Sequence, residues 1–349
     1  MRDRKDILLQ SLGPVLALLL AFFVGGIFIW GIGRDPLEVY EVFFAETLGS
    51  PYGIGQVLFK ATPLIFTGLS AAIAFRAGLF NIGADGQLAI GALATALIGY
   101  AFPTLSPLIL VPLCLLAGIA GGALWGYIPG ALKARFGAHE VINTIMMNFI
   151  AAAIISYLVN NHFGVPATIH TPQISPSAEL PRLDRIIDSF RGSPVNVSLF
   201  LAMLACGFLY YLLWRTRLGY EIRVLGLSPT AADYAGINVR KRIVLTMTIA
   251  GAFAGLVGSN FVLGYKHYFE MGFAEGTGFI GIAVALLGRN HPAGIFLGAL
   301  FFGVLEYGGL TINTMVPKEL VNILQAIVIL FVIILSKLFG RWAVQFQNN

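Results

Sequence analysis

Between Leu12 and Leu338 the chain returns repeatedly to apolar runs about as long as a bilayer is thick, and no polar stretch between them is long enough to fold as a soluble domain. A helix needs roughly 20 apolar residues to cross the hydrocarbon layer. Such runs fall near residues 12–33, 58–76, 85–102, 107–130, 141–160, 196–214, 243–264, 276–289, 293–312 and 320–339. With 57% hydrophobic and 11% charged residues over 349 positions, the composition also lies outside the soluble globular range. The expected fold is therefore an all-α integral membrane protein of about ten transmembrane helices, forming one transmembrane domain over residues 1–349. The opening MRDRKD and the run after it read as a retained first helix, because the run is a full span long and no small-residue cleavage site precedes Arg34.

Charge gives the orientation. With a cytoplasmic N-terminus, only Arg34, Lys60, Arg182, Arg185, Arg191, Lys266 and Lys318 of the 22 Lys and Arg residues fall outside. That bias places both termini in the cytoplasm. The net charge of +5 is spread over loops rather than gathered into a stripe, so nucleic acid is not an expected partner. No pair among the five histidines has the i, i+4 spacing of a helical metal site, and no metal is expected. Cys114 and Cys206 each lie within an apolar run and are read as packing residues. The chain has no glycine-rich phosphate loop ending in Lys-Ser or Lys-Thr and no nucleophile–base arrangement, so neither bound ATP nor catalytic residues are expected.

Two connections are long. The outer one, about 161–195, carries Pro166, Pro172, Pro176, Pro181 and Pro194 and reads either as an extracytoplasmic cap or as a solvated loop. The inner one, about 215–242, contains Ser228 as an N-cap, Pro229 at the first helical position and Gly236 as a stop, which predicts a helix of about two turns. So short a helix is unstable alone. Ala231, Ala232 and Ala235 would share a small-residue face able to enter a groove on a partner; the alternative is a helix resting on the membrane surface.

The segment FNIGADGQLAIG, residues 80–91, sets Asn81, Gly83, Asp85 and Gln87 between two apolar runs. Irregular backbone at membrane depth survives only when shielded by protein or lining water. The segment is either a broken helix restarting at Asp85 or an ordinary cytoplasmic turn with Asp85 as its cap. A second glycine-rich break, GFAEGTGFIGIAVALLG at 272–288, also precedes a small-residue helix, and the runs after the two breaks point in opposite directions. Inverted repeats with a midplane site have that pattern. AGGALWG at 120–126 and AGAFAGLVG at 250–258 would permit close helix packing. Asn148 lies in the polar opening of the fifth run, which Glu140 starts, and Glu306 is the lone acid inside an apolar run, with either a substrate or gating role or an interfacial one.

Four segments in order, GLFNIGADGQLAIGA, HEVINTIMMNFIA, GLSPTAADYAGINV and GFIGIAVALLGRNHPAGI, resemble the permease subunit of bacterial ATP-binding-cassette importers for nucleosides and simple sugars. That group is akin to ribose and branched-chain amino-acid permeases, and the likeness runs from about Ala61 to Gly309. The resemblance implies a multi-pass protein of the bacterial plasma membrane working with cytoplasmic ATP-binding subunits, a second permease subunit, identical or not, and an extracytoplasmic substrate-binding protein, often a lipoprotein. ATP would be used by the partner ATPase, with no cofactor on this chain. The Ser228–Gly236 helix would be the coupling helix, and Asn81, Gly83, Asp85 and Gln87 the polar segment beside the translocation path. The family commonly has glutamate where Asp85 stands. The other function consistent with the residues is an ion-coupled secondary transporter, for which Glu306 and Asp85 are the carboxylate candidates.

Overall fold

In the computed structural model, residues 22–317 are described throughout, and only positions 16, 19, 20, 320–323, 325–327, 330, 331 and 334 beyond them. Both termini, and much of the expected first and last spans, lie outside the described residues. In chain order the helices are α1 (Phe22–Gly31), α2 (Pro36–Leu48), α3 (Pro51–Arg76), α4 (Ala84–Ala101), α5 (Pro107–Phe136), α6 (Glu140–Leu158), α7 (Ser198–Arg215), α8 (Arg217–Leu227), α9 (Pro229–Tyr234), α10 (Val239–Gly255), α11 (Thr277–Leu287) and α12 (Pro292–Thr311). Wider π-helical turns prolong α6 to Phe163 and α10, after a short kink, to Lys266. Among the described residues there is no β-sheet, only isolated bridges at His170–Glu270 and Arg182–Asn196.

Six helices, α3, α5, α6, α7, α10 and α12, are long and apolar enough to cross a membrane. Their ends follow local chemistry. Ser50 accepts from the Gly53 N–H at 3.0 Å and Pro51 opens α3. The long α5 starts at Pro107 and stops at Gly137, whose φ of 68° suits glycine, with Lys133 and Arg135 on the negative end of its dipole. Helix α2, with Asp35 capping the Leu37 N–H, was not foreseen; its three glutamates break the apolar periodicity.

Helix α3 is the central post: 89% of its apolar stretch is buried, against 28% for α5 and 22% for α6, which turn most of their surface outward. Pro63 inside α3 has no N–H for the Phe59 carbonyl, and Asn260 Nδ2 supplies the missing donor at 3.2 Å. Asn260 also accepts from Ser198 Oγ (3.0 Å) and Asn196 Nδ2 (3.1 Å), so one buried knot ties α3 to α7 and to the end of α10. Substitution Asn260→Leu leaves these groups unpaired and is expected to lower stability by about 1–3 kcal/mol. Thermal unfolding in detergent reads this directly, and an unchanged midpoint would refute it.

The two small-residue runs noted in the sequence meet. Gly122 lies against Gly251 and Gly255, Gly126 against Met247 and Gly251, and Gly118 against Gly91 of α4 and Gly255. The backbones of α4, α5 and α10 touch at these glycines, with the Thr95 hydroxyl of α4 beside Gly118.

The connection 164–197 is an ordered cap of short 3₁₀ turns. Its backbone is fastened along the segment that follows α10: Leu180 N–H to the Leu263 carbonyl (2.8 Å), Ile174 to His267 (2.8 Å) and Thr171 to Phe269 (2.9 Å). A further bond, Ser175 N–H to the Gly99 carbonyl at 2.9 Å, ties the same connection to the end of α4.

Candidate functional site

Helix α3 ends where Arg76 stacks over Trp214, 5.2 Å from the ring centroid, and donates from Nε (3.1 Å) and Nη2 (3.0 Å) to the Asn290 carbonyl beyond α11. Gly78, at φ 71°, then reverses the chain against Gly226 at the end of α8. Residues 79–83 run back alongside α3, and α4 restarts beside Thr67 and the beginning of α11. Thr67 lies about 14 Å from the Arg76 end of α3 at roughly 1.5 Å per residue. The break is therefore a re-entrant stretch and α4 a helix that begins partway through the bundle.

The second break does the same from the other side. The chain after Lys266 returns through Gly272 (φ 77°) and Gly276 (φ 81°), and α11 begins at Thr277, whose carbonyl accepts from Thr67 Oγ1 at 3.1 Å. Asp85 Oδ1 accepts from the Gly278 N–H at 2.7 Å. Two helix N-termini thus meet across one carboxylate, which suits the positive ends of both dipoles and an otherwise unpaired N–H.

Beside this junction opens a cavity of about 530 Å³. Asp85 and Asn148 line it, together with Glu275 and the side chains of Phe149, Met271 and Phe279. Asn148 serves as a clamp: Nδ2 donates to the Ile82 carbonyl and Oδ1 accepts from the Gly86 N–H, both at 2.9 Å. Thr144 Oγ1 accepts from the Ile82 N–H one turn earlier on α6.

The other residues of the break stand behind the wall. Asn81 and Gln87 are buried and bond each other twice, Asn81 Nδ2 to Gln87 Oε1 at 2.8 Å and Gln87 Nε2 to Asn81 Oδ1 at 3.0 Å. Asn81 also donates to Ser70 Oγ at 3.1 Å and accepts from the Gly83 N–H at 3.2 Å. Gly83 is buried against Thr144, where a side chain would push α6 away. This pair holds the shape of the return and is not among the lining residues of the cavity. Glu306 is not brought to the site at all: on α12 it accepts from Gln325 Nε2 at 3.1 Å.

At the Arg76 end of the bundle, α9 has the geometry its sequence announces. Ser228 Oγ accepts from the Ala231 N–H at 3.2 Å, Pro229 is the first helical residue and Gly236 leaves with φ 75°. The alanines divide, however. Ala232 is fully buried against its own chain while Ala231 and Ala235 are exposed, so Ala232 does not share their outward face. Sequence reasoning missed the large side chains there, Leu227 at 87% and Tyr234 at 91% exposure, which bracket the alanines. It also passed over the cavity aromatics, although Phe149 follows Asn148 directly and Phe279 stands inside the second break.

Nearby α8 carries a buried Glu221 held between Arg217 and Arg242. Among the described residues no group of His, Cys, Asp and Glu is placed to hold a metal.

The family described as "Branched-chain amino acid transport system / permease component" matches residues 53–333. The guanosine ABC transporter permease protein of Bacillus subtilis is 40% identical, over 91% of this chain and 92% of its own. The nucleoside ABC transporter permease protein of Lactococcus lactis is 37% identical, over 93% and 90%. The glucose ABC transporter permease protein of Haloferax volcanii is 38% identical, over 95% and 89%.

Proposed function

Because this chain belongs to the branched-chain amino acid transport system permease family, we propose that it forms the translocation path for a nucleoside in a bacterial importer powered by separate ATP-binding subunits. The chain is a multi-pass membrane protein and a transport component, not an enzyme. The observation that carries the proposal is the junction of α4 and α11 through Asp85 and Gly278 at the edge of the cavity. Each of these helices starts partway through the bundle, and the two run toward opposite faces, so either can gate the same space from its own side. Ten membrane-inserted segments, arranged as inverted repeats, accommodate this geometry. The face bearing Arg76, Arg217, Arg242 and Arg289 is the cytoplasmic one, with both chain ends on that side of the bacterial plasma membrane.

On that face α9 is the contact for an ATPase subunit, with Leu227, Tyr234, Ala231 and Ala235 presented outward and Ser228 and Gly236 setting its two ends. The cap at 164–197 is the landing surface for a substrate-binding protein, and a second permease subunit completes the path. The solute is a nucleoside, as the names of the Bacillus and Lactococcus relatives have it, with a simple sugar as the other choice. ATP-driven approach of the ATPase pair would move α9 and shift the inward and outward populations.

Co-purification in mild detergent, followed by uptake of tritiated guanosine into proteoliposomes, tests this. The expected outcome is recovery of an ATPase and uptake that needs internal ATP; uptake by the chain alone under an ion gradient would overturn it. In the same assay Tyr234→Ala is expected to reduce binding-protein-stimulated ATP hydrolysis about tenfold, as the loss of an aromatic anchor at an interface would. Full stimulation in that variant would remove α9 from the contact.

A further inference from the structure

Positive charge gathers unspent at the Arg76 end of α3. Gly226 of α8 lies so close to the Arg76 carbonyl that no side chain fits between them. Arg223 stands three residues before Gly226 and so shares the α8 face that meets α3. There the two guanidinium groups repel each other. Arg289 adds a third charge on the turn after α11, where its carbonyl and that of Asn290 accept from Arg76.

Among the described residues, none of the three has a carboxylate within ion-pair distance. Glu221, the acid nearest to Arg223 in sequence, is held by Arg217 and Arg242. Arg76 does spend Nε and Nη2 on backbone carbonyls. Arg223 has no such outlet: its Nε is sealed from solvent without an acceptor, while the side chain as a whole is half-buried and stays within reach from outside. A charge taken out of water with neither acceptor nor counter-ion is unfavourable until something beyond the chain supplies them.

The surroundings select the kind of anion. Trp214, near the end of α7, lies under Arg76, stacks on Tyr210 with 22° between the planes and stands 5.1 Å from the His291 ring. On the outward side of the same helix Leu204, Phe208 and Tyr211 follow at i, i+4 and i+7 as one exposed stripe. Helix α7 is apolar and long enough to span, so this stripe meets acyl chains. Aromatic rings at the end of such a stripe, with arginines just beyond, mark the depth of the lipid headgroups. None of these residues lines the cavity at the α4–α11 junction, so the cluster is separate from the solute path.

A phosphodiester suits the cluster, because its oxygens accept several N–H donors at once and its charge answers the arginines. A zwitterionic headgroup offers the same phosphate but brings an ammonium among three cations. We propose that Arg76, Arg223 and Arg289 bind the phosphate of an anionic phospholipid whose acyl chains lie along α7. Since Arg76 also holds the turn after α11 and starts the return into α4, the lipid fastens the joint on which both half-helices depend. The proposal goes beyond the importer reading and needs only that the chain sits in a bilayer.

The test uses the full chain, purified in detergent and stripped of lipid. It is titrated with phosphatidylglycerol, phosphatidylethanolamine and inorganic phosphate, with binding read by native mass spectrometry and the unfolding midpoint followed in parallel. Wild type is expected to bind phosphatidylglycerol at least about fivefold more tightly than phosphatidylethanolamine and to gain stability from it. Arg223→Met, which keeps the apolar stem and drops the charge, is expected to weaken phosphatidylglycerol binding by about the same factor. Without lipid it is expected to unfold at a higher temperature than wild type, because the repulsion from Arg76 is gone; an arginine needed only for packing would give a lower one. Arg223→Lys is expected to stay within about threefold of wild type in lipid affinity. Arg135→Gln, which removes an exposed charge at the end of α5 outside the cluster, is expected to bind as wild type. Equal binding of the two lipids, or an Arg135→Gln protein weakened as much as Arg223→Met, would overturn the proposal. So would inorganic phosphate that competes as strongly as the lipid, which makes the ligand a free anion, or displacement of the lipid by a co-purifying protein, which gives the arginines to that partner.

Discussion

Substitution Gly122→Leu is expected to abolish recovery of folded, monodisperse protein from the membrane. At this position α5 lies directly on the backbone of α10, and even a Cβ would be driven into the carbonyl oxygen of Gly251. Helices held together by backbone contact cannot adjust by changing rotamers, as a core of larger side chains can. The crossing must open along its length, and it takes α4 with it, because Gly91 rests on Gly118 and Gly255 of the same cluster. The cost should exceed about 4 kcal/mol, the range in which single substitutions become exceptional. Size-exclusion chromatography after detergent extraction is the measurement. Gly207→Leu on α7, where nothing lies near the added side chain, is the control expected to behave as wild type. A monodisperse Gly122→Leu protein would mean that the crossing is not required for the fold.

Asp85→Ala is expected to reduce solute uptake by about thirtyfold or more while the protein still assembles. The carboxylate is the one side chain that joins the starts of α4 and α11, and hydrogen bonds to charged groups contribute about 1.5–3 kcal/mol. Its loss frees the Gly278 N–H and leaves the two half-helices without a common anchor. Asp85→Asn keeps an oxygen acceptor for Gly278 and is expected to lose less. Initial uptake rates, normalised to the amount of reconstituted transporter, separate the three proteins. Equal rates for Asp85→Ala and wild type would show that the junction plays no part in transport.

The contrast with Gln87→Ala is instructive. Gln87 stands two residues from Asp85 in sequence, yet its amide is spent on Asn81 behind the wall. Its loss should appear first as lower thermal stability, since Asn81 would be left buried with half its partners gone.

Length and apolarity were enough to place α3, α5, α6, α7, α10 and α12, because bilayer thickness imposes the run length on the sequence itself. Helix α9 was equally legible, since Ser228, Pro229 and Gly236 act within nine residues of chain. The depth at which α4 and α11 start was not legible. It is set by Thr67 with Thr277 and by Asp85 with Gly278, contacts that join positions far apart in the chain, and no local pattern reports them. The polar residues of the first break looked alike in sequence, and only packing separates Asp85, on the cavity wall, from Asn81 and Gln87 behind it. The orientation of Ala232 was hidden for a similar reason: in a six-residue helix the inward side is chosen by the neighbouring α8 and α10. Phe149 and Phe279 were invisible among 27 phenylalanines, where aromatic residues are the background rather than the signal.

The turn at residues 76–78 belongs to three parts at once. Its arginine holds the far end of α11, its glycine backs onto α8 just before α9, and the chain leaving it becomes the start of α4. Under the proposed function, a displacement of α9 would reach both half-helices through the same joint and would couple their phases as a camshaft couples two valves. In a chain built this way, leakage would arise from faulty timing between the valves before it arose from a poor seal at either one.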